Sequence, residues 1–190
     1  MQTAKVLKQV MVINYSVFFI EFICGYYAKS TALMADSLDL LGDAAIYGIS
    51  LYALSQGPLW NARAGFLKGL VMAMFGFFVL GQAIYRGISG TVPFSFTVTS
   101  IGLLALCANA ICMMFLYKYR EVDMNMRSTW LCSRNDIFAN TGVLISAGLV
   151  ALTGSGMPDV IIGFAIAALY LKTAYDVMSD AQLFTTFDFE

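Results

Sequence analysis

Six apolar stretches of spanning length follow one another along the chain, separated by short polar breaks. A bilayer-crossing helix needs about 20 mostly apolar residues. On that measure the spans are predicted at residues 6–28, 32–55, 64–86, 96–117, 126–153 and 158–178. All three prolines, Pro58, Pro93 and Pro158, fall between these stretches or at their edges. Proline suits the first helical turn and interrupts helix interiors, so it supports the boundaries. The predicted fold is all-α, one membrane bundle of six helices. The first stretch is read as a retained span, because it is long for a signal core and no small-residue cleavage pattern follows it. The tail after Met178 is too short for a second domain, so none is expected in the cytoplasm.

Composition agrees. Of 190 residues, 59% are hydrophobic and 12% charged, against about 25% charged in soluble domains. The net charge of -1 offers no basic face for nucleic acid. Lysine and arginine set the orientation. Lys5, Lys8, Arg63, Lys68, Lys118, Arg120, Arg127 and Lys172 fall on the side of the two termini, and Lys29 and Arg86 on the other. Both termini are therefore predicted to be cytoplasmic, with Arg63 and Lys68 snorkelling to that surface. The run from Lys118 to Arg127 reads as a solvated connector.

Polar residues inside the spans change the picture. Asp36, Asp39 and Asp43 stand three and then four residues apart, on one face of the second helix. A carboxylate near the bilayer centre costs roughly 2.5–3.5 kcal/mol on insertion scales. Such a stripe requires a polar cavity, a counter-charge, protons or a metal ion. Asp36 is near the outer end, where the helix dipole alone would favour it. The fifth span carries Cys132 and Asp136, again four apart and on one face. Two helices each offering such a pair make four ligands, the number a tetrahedral divalent metal takes. Arg134, two residues from each, points elsewhere: it either pairs with a carboxylate of another helix or reaches the interface. Glu21 and Asn14 of the first span should face the bundle interior, as structural hydrogen-bonding groups or as part of an ion pathway. Asp159, in the first turn of the sixth helix, is explained by the dipole.

The chain has no histidine, which excludes histidine-ligated haem or zinc and any histidine-based triad. The cysteines Cys24, Cys107, Cys112 and Cys132 form no CxxC pair and lie in apolar stretches, so no disulfide framework is expected. Apart from Cys132 they read as small apolar fillers. No catalytic motif stands at a membrane surface, so an enzyme is not expected, nor a resident cofactor.

These residues resemble the cation diffusion facilitator family of metal exporters, from Asn14 to about Asp180. The most specific stretches are Glu21 to Gly25, Thr31-Ala-Leu-Met-Ala-Asp-Ser-Leu-Asp-Leu-Leu-Gly-Asp43 and Trp130-Leu-Cys-Ser-Arg-Asn-Asp-Ile-Phe-Ala-Asn140. The resemblance implies a transport site of Asp39, Asp43, Cys132 and Asp136, with Asp36, Glu21, Asn14 and Asn140 as accessory polar or proton-pathway residues. It also implies a homodimer in the cell membrane, a bacterial inner membrane, exchanging a divalent metal for protons by alternating access. Family members often carry histidine where Asp39 and Cys132 stand here, and a counterpart of the family's usual cytoplasmic metal-binding domain is not expected. A thiolate favours Zn²⁺ or Cd²⁺, while carboxylates also suit Co²⁺, Fe²⁺ or Mn²⁺. The other classes open to the same residues are a proton or ion channel subunit working without a metal and a non-transporting membrane assembly subunit. With the predicted boundaries, Asp39 and Asp43 lie at or outside the midplane and Cys132 and Asp136 inside it, roughly two turns apart in depth.

Overall fold

Helix ends fall where backbone chemistry sets them. The computed structural model describes residues 2–27, 31–89 and 96–187, with side chains for 2–24, 40–89, 103–142, 144–146 and 148–183. Among these are six helices: α1 Gln2–Tyr27, α2 Thr31–Gln56, α3 Pro58–Ser89, α4 Phe96–Tyr117, α5 Met124–Thr153 and α6 Met157–Phe187. Pro58 opens α3, where its missing N–H costs nothing. Gly57 makes the tight passage from α2 with φ +97°. Asp123 caps α5 by accepting from the Met126 N–H at 2.8 Å, and Gly154 ends it in the left-handed region at φ 66°.

Every expected span is a helix, and the fourth has the expected ends. The largest extensions beyond the predicted spans are in α3 and α6. α3 begins six residues earlier than predicted, at Pro58, and α6 continues to Phe187 rather than stopping near Met178. Both extensions carry polar residues that a hydropathy window discounts but a helix tolerates. Four helices are long and apolar enough to cross a membrane among the described residues: Gln2–Cys24, Pro58–Ser89, Met124–Thr153 and Met157–Leu183. Large apolar side chains such as Met74, Phe77, Phe78, Leu152 and Ile161 stand on the outside, as in a bundle whose solvent is lipid.

The helices associate chiefly as α3 with α6 and α1 with α2, while α2 meets α5 over a shorter contact. The α3–α6 seam is made by glycine. A Cβ on Gly76 would stand 2.8 Å from Leu171 Cγ, and one on Gly69 would stand 2.5 Å from Met178 Cγ and 3.2 Å from the Ala174 carbonyl oxygen. Such close backbone approach is how helices associate where lipid removes the hydrophobic driving force.

α5 and α6 run antiparallel and are joined by polar contacts along their length. Ser146 donates to Asp159 Oδ1 at 3.0 Å, Tyr170 to Asp136 Oδ1 at 2.6 Å and Thr173 to Asn135 Oδ1 at 3.5 Å, and Arg127 pairs with Asp180 Oδ2 at 2.8 Å. Arg86 of α3 joins the first of these, 2.7 Å from Asp159 Oδ2. Asp159 therefore does more than favour a helix dipole: it links three helices. Tyr119, in the α4–α5 connector, donates to Gln2 Oε1 at 3.5 Å. The start of α1, the start of α5 and Asp180 of α6 thus share one end of the bundle.

Lys68 departs from expectation. It does not snorkel to a surface but is fully buried on α3. Its three N–H groups are shared among four acceptors, the Asn125 carbonyl at 2.8 Å, Asn125 Oδ1 at 2.5 Å, Ser128 Oγ at 3.2 Å and Thr129 Oγ1 at 2.5 Å. The Asn125 amide donates onward to the Ser50 carbonyl of α2 at 2.9 Å, and Ser50 and Thr129 hydroxyls stand 3.0 Å apart. A side chain near a span's end reaches inward when its acceptors are inside. Arg63 does remain exposed, its guanidinium 5.4 Å from the Trp60 ring centre.

Candidate metal site

Asp43 is at mid-length on α2 and Asp136 twelve residues into α5. Because α2 and α5 run in opposite directions, each carboxylate lies a similar distance from the shared end that holds Gln56 and Met124. At 1.5 Å rise per residue that distance is about 20 Å, near the middle of the bilayer. The two carboxylates face each other: both line one cavity of about 170 Å³ and a smaller one of about 20 Å³ beside it. The depth mismatch read from the sequence does not keep them apart.

Cys132, one turn before Asp136, is buried and lines the smaller cavity together with both carboxylates, Met72 and Tyr170. The larger cavity is lined by Asn109 of α4, Asn140 of α5 and Phe75 of α3 as well. Asn109 Oδ1 is buried there without a hydrogen-bond partner. The smaller cavity has room for about one water-sized sphere, and the larger for several. Among the described residues, no three acidic or cysteine side chains come together as a group that could hold a metal ion. Asp43, Cys132 and Asp136 share a cavity wall without converging on one point. The side chains of Asp39 and Asp36 lie outside the described residues.

The accessory candidates divide. Asn140 is at the cavity. Glu21 and Asn14 are fully buried on α1, as expected of an interior face. Asn14 Oδ1 lies 4.0 Å from Cys112 Sγ on α4 and is not among the residues lining either cavity. Arg134 lies over the Trp130 ring at 5.3 Å and donates to Asn135 Oδ1 at 3.3 Å.

Tyr170, Asn109 and Phe75 were not singled out from the sequence. Asn109 carried a signal, as a polar residue inside an apolar span. Tyr170 and Phe75 carried none, since aromatic side chains are ordinary on a lipid-facing stripe.

Residues 7–183 match the family described as "Cation efflux transmembrane domain". The chain is 25% identical over 174 residues to the "Zinc transporter ZitB" of Yersinia pestis, covering 85% of this chain and 56% of that protein. It is 20% identical over 186 residues to the "Cadmium, cobalt and zinc/H(+)-K(+) antiporter" of Bacillus subtilis, covering 90% and 59%. To the "Metal cation efflux system protein CzcD" of Cupriavidus metallidurans it is 24% identical over 173 residues, covering 85% and 55%. The chain thus spans a little over half the length of these relatives.

Proposed function

The chain belongs to the cation efflux transmembrane domain family, and from that premise we propose that it carries divalent transition-metal ions out of the cytoplasm in exchange for protons. The observation that carries this reading is the pair Asp43 and Asp136, facing each other across one cavity in the middle of an apolar bundle. Two facing carboxylates inside a membrane need a cation or protons between them. Asp39 and Cys132 complete the ligand set in this reading, each one turn along its helix from the facing pair.

The ligands bind metal only when deprotonated, so protons and metal compete for the same atoms. With the cavity open to the cytoplasm the set captures M²⁺; open to the far side, protons displace it. One thiolate among carboxylates favours Zn²⁺ and Cd²⁺ over Mn²⁺. The relatives named for zinc, cadmium and cobalt support the same class of cargo. The protein acts in this reading as a homodimer in the cell membrane, its termini in the cytoplasm, the side towards which most of the lysines and arginines lie.

The test is Zn²⁺ and Cd²⁺ uptake into vesicles reconstituted with the purified chain, under a pH gradient. Saturable uptake with proton counter-flow, lost in Asp43→Ala, is expected. Uptake indifferent to the gradient would sink the coupling, and no metal flux from a folded protein would sink the transport reading.

A further inference from the structure

We propose that Tyr170 of α6 is a positioning residue that makes Asp136 a single-oxygen ligand and so tunes which cation the site prefers. This rests on the transport reading above.

The geometry is direct. The Tyr170 hydroxyl donates to Asp136 Oδ1 at 2.6 Å, the length of a charge-assisted O–H···O⁻ bond. The other oxygen, Oδ2, is buried without a hydrogen-bond partner, and the Asp43 carboxyl is a neighbour of the Asp136 carboxyl. Tyr170 lines both cavities with the two carboxylates. One oxygen of Asp136 is therefore occupied by the protein, and the other is left for the cargo. Partners of this kind fix ligand orientation in metal sites.

The aim of Tyr170 is set by its own helix. Leu171, the next residue, packs against Gly76 of α3, closely enough that an added Cβ would stand 2.8 Å from it. Thr173, one turn on, meets Asn135, the neighbour of Asp136. α6 therefore has little freedom to rotate or slide at this level.

The chemical consequence is selectivity. A carboxylate held to one oxygen suits a small ion with few ligands, such as tetrahedral Zn²⁺. A carboxylate free to chelate through both oxygens suits ions that take more oxygen ligands. Removing the hydroxyl in Tyr170→Phe releases Oδ1, weakening Zn²⁺ and relatively favouring Mn²⁺.

The experiment measures Zn²⁺ and Mn²⁺ uptake by vesicles, together with Zn²⁺ binding by calorimetry on the detergent-purified full chain. It compares the native chain with Tyr170→Phe, Gly76→Ala, Asp43→Ala and Tyr175→Phe, the last being an exposed tyrosine on the same helix. In Tyr170→Phe the Zn²⁺ Kd and KM should rise by about 10–100-fold, with a smaller change for Mn²⁺, so that the ratio between metals shifts. Gly76→Ala, which displaces α6 but keeps the hydroxyl, should move the ratio the same way and less. Tyr175→Phe should move nothing. Unchanged Zn²⁺ binding and ratio in Tyr170→Phe, with binding lost in Asp43→Ala, would overturn this inference alone. Equal losses for both metals would also overturn it, as the mark of a merely structural role. A native chain that neither binds nor transports Zn²⁺ would remove the transport reading and this inference with it.

Discussion

Lys68 of α3 reaches Thr129 of α5 with its ammonium 2.5 Å from the hydroxyl, three residues before Cys132. The bond belongs to a buried group of neutral acceptors on α5, itself joined to Ser50 of α2. A lysine at the surface could be replaced at a cost within about 0.5 kcal/mol. Lys68→Ala instead strips a donor from several buried acceptors, each costing about 1–3 kcal/mol if left unsatisfied. The expected result is a clear fall in melting temperature in detergent, while Arg63→Ala leaves it nearly unchanged. Equal small effects would show that the Lys68 network contributes little.

Gly76 and Gly81 lie on the same helix in opposite circumstances. A Cβ at Gly76 would press into Leu171, while at Gly81 nothing lies within 4 Å. Gly76→Ala should destabilise by about 1–3 kcal/mol through overpacking. Gly81→Ala should be neutral or stabilise by up to about 1 kcal/mol, since alanine costs less than glycine in a helix interior. Denaturation in mild detergent separates the two, and the opposite order would mean that the α3–α6 seam is not tight.

Arg86 and Asp159 pair at 2.7 Å, with the arginine side chain 37% exposed. A pair that exposed should show a coupling of about 0.2–1 kcal/mol in a double-mutant cycle. Asp159→Ala alone should cost more than Arg86→Ala alone, because it also leaves Ser146 without its acceptor. The reverse ranking would show that the three-helix link does not depend on Asp159.

Ligand chemistry makes Cys132→Ser informative under the proposed function. Exchanging a soft sulfur for a hard oxygen should lower Cd²⁺ uptake more than Mn²⁺ uptake. A larger loss for Mn²⁺ would remove Cys132 from the ligand set.

Metal binding should also appear as stability. Zn²⁺ at 100 times its Kd stabilises a native protein by about 2.7 kcal/mol. The native chain should melt higher with Zn²⁺ than with a chelator, and Asp43→Ala should show no such difference. A shift of the same size in the mutant would place the binding elsewhere.

The six helices were legible in the sequence, and Asp43 and Asp136 stood out in it, because apolar run length and intramembrane charge are local signals; that the two meet was not, since the predicted spans set them roughly two turns apart in depth. Lys68 was not. Its acceptors are neutral residues more than fifty positions away, and a basic residue near a span's end reads as a surface anchor until the packing is known. Tyr170 was hidden for a similar reason: whether an aromatic residue faces lipid or a carboxylate depends on helix rotation, which the α3–α6 glycine contacts decide. α3 and α6 run past the predicted spans because hydropathy measures preference for lipid, whereas a helix continues for as long as its backbone bonds close.

The run of contacts between α5 and α6 has a mechanical consequence. α6 is pinned to α5 at several levels and seamed to α3 by near-backbone contact. Turning or sliding α5 alone would break these contacts. That group meets α2 through both α3 and α5, and near one end the buried Asn125–Ser50 and Ser50–Thr129 contacts tie it to α2. Asp43 of α2 and Asp136 of α5 thus meet between two helices already fastened to each other at the level of Ser50, which fixes where along α5 the first carboxylate falls.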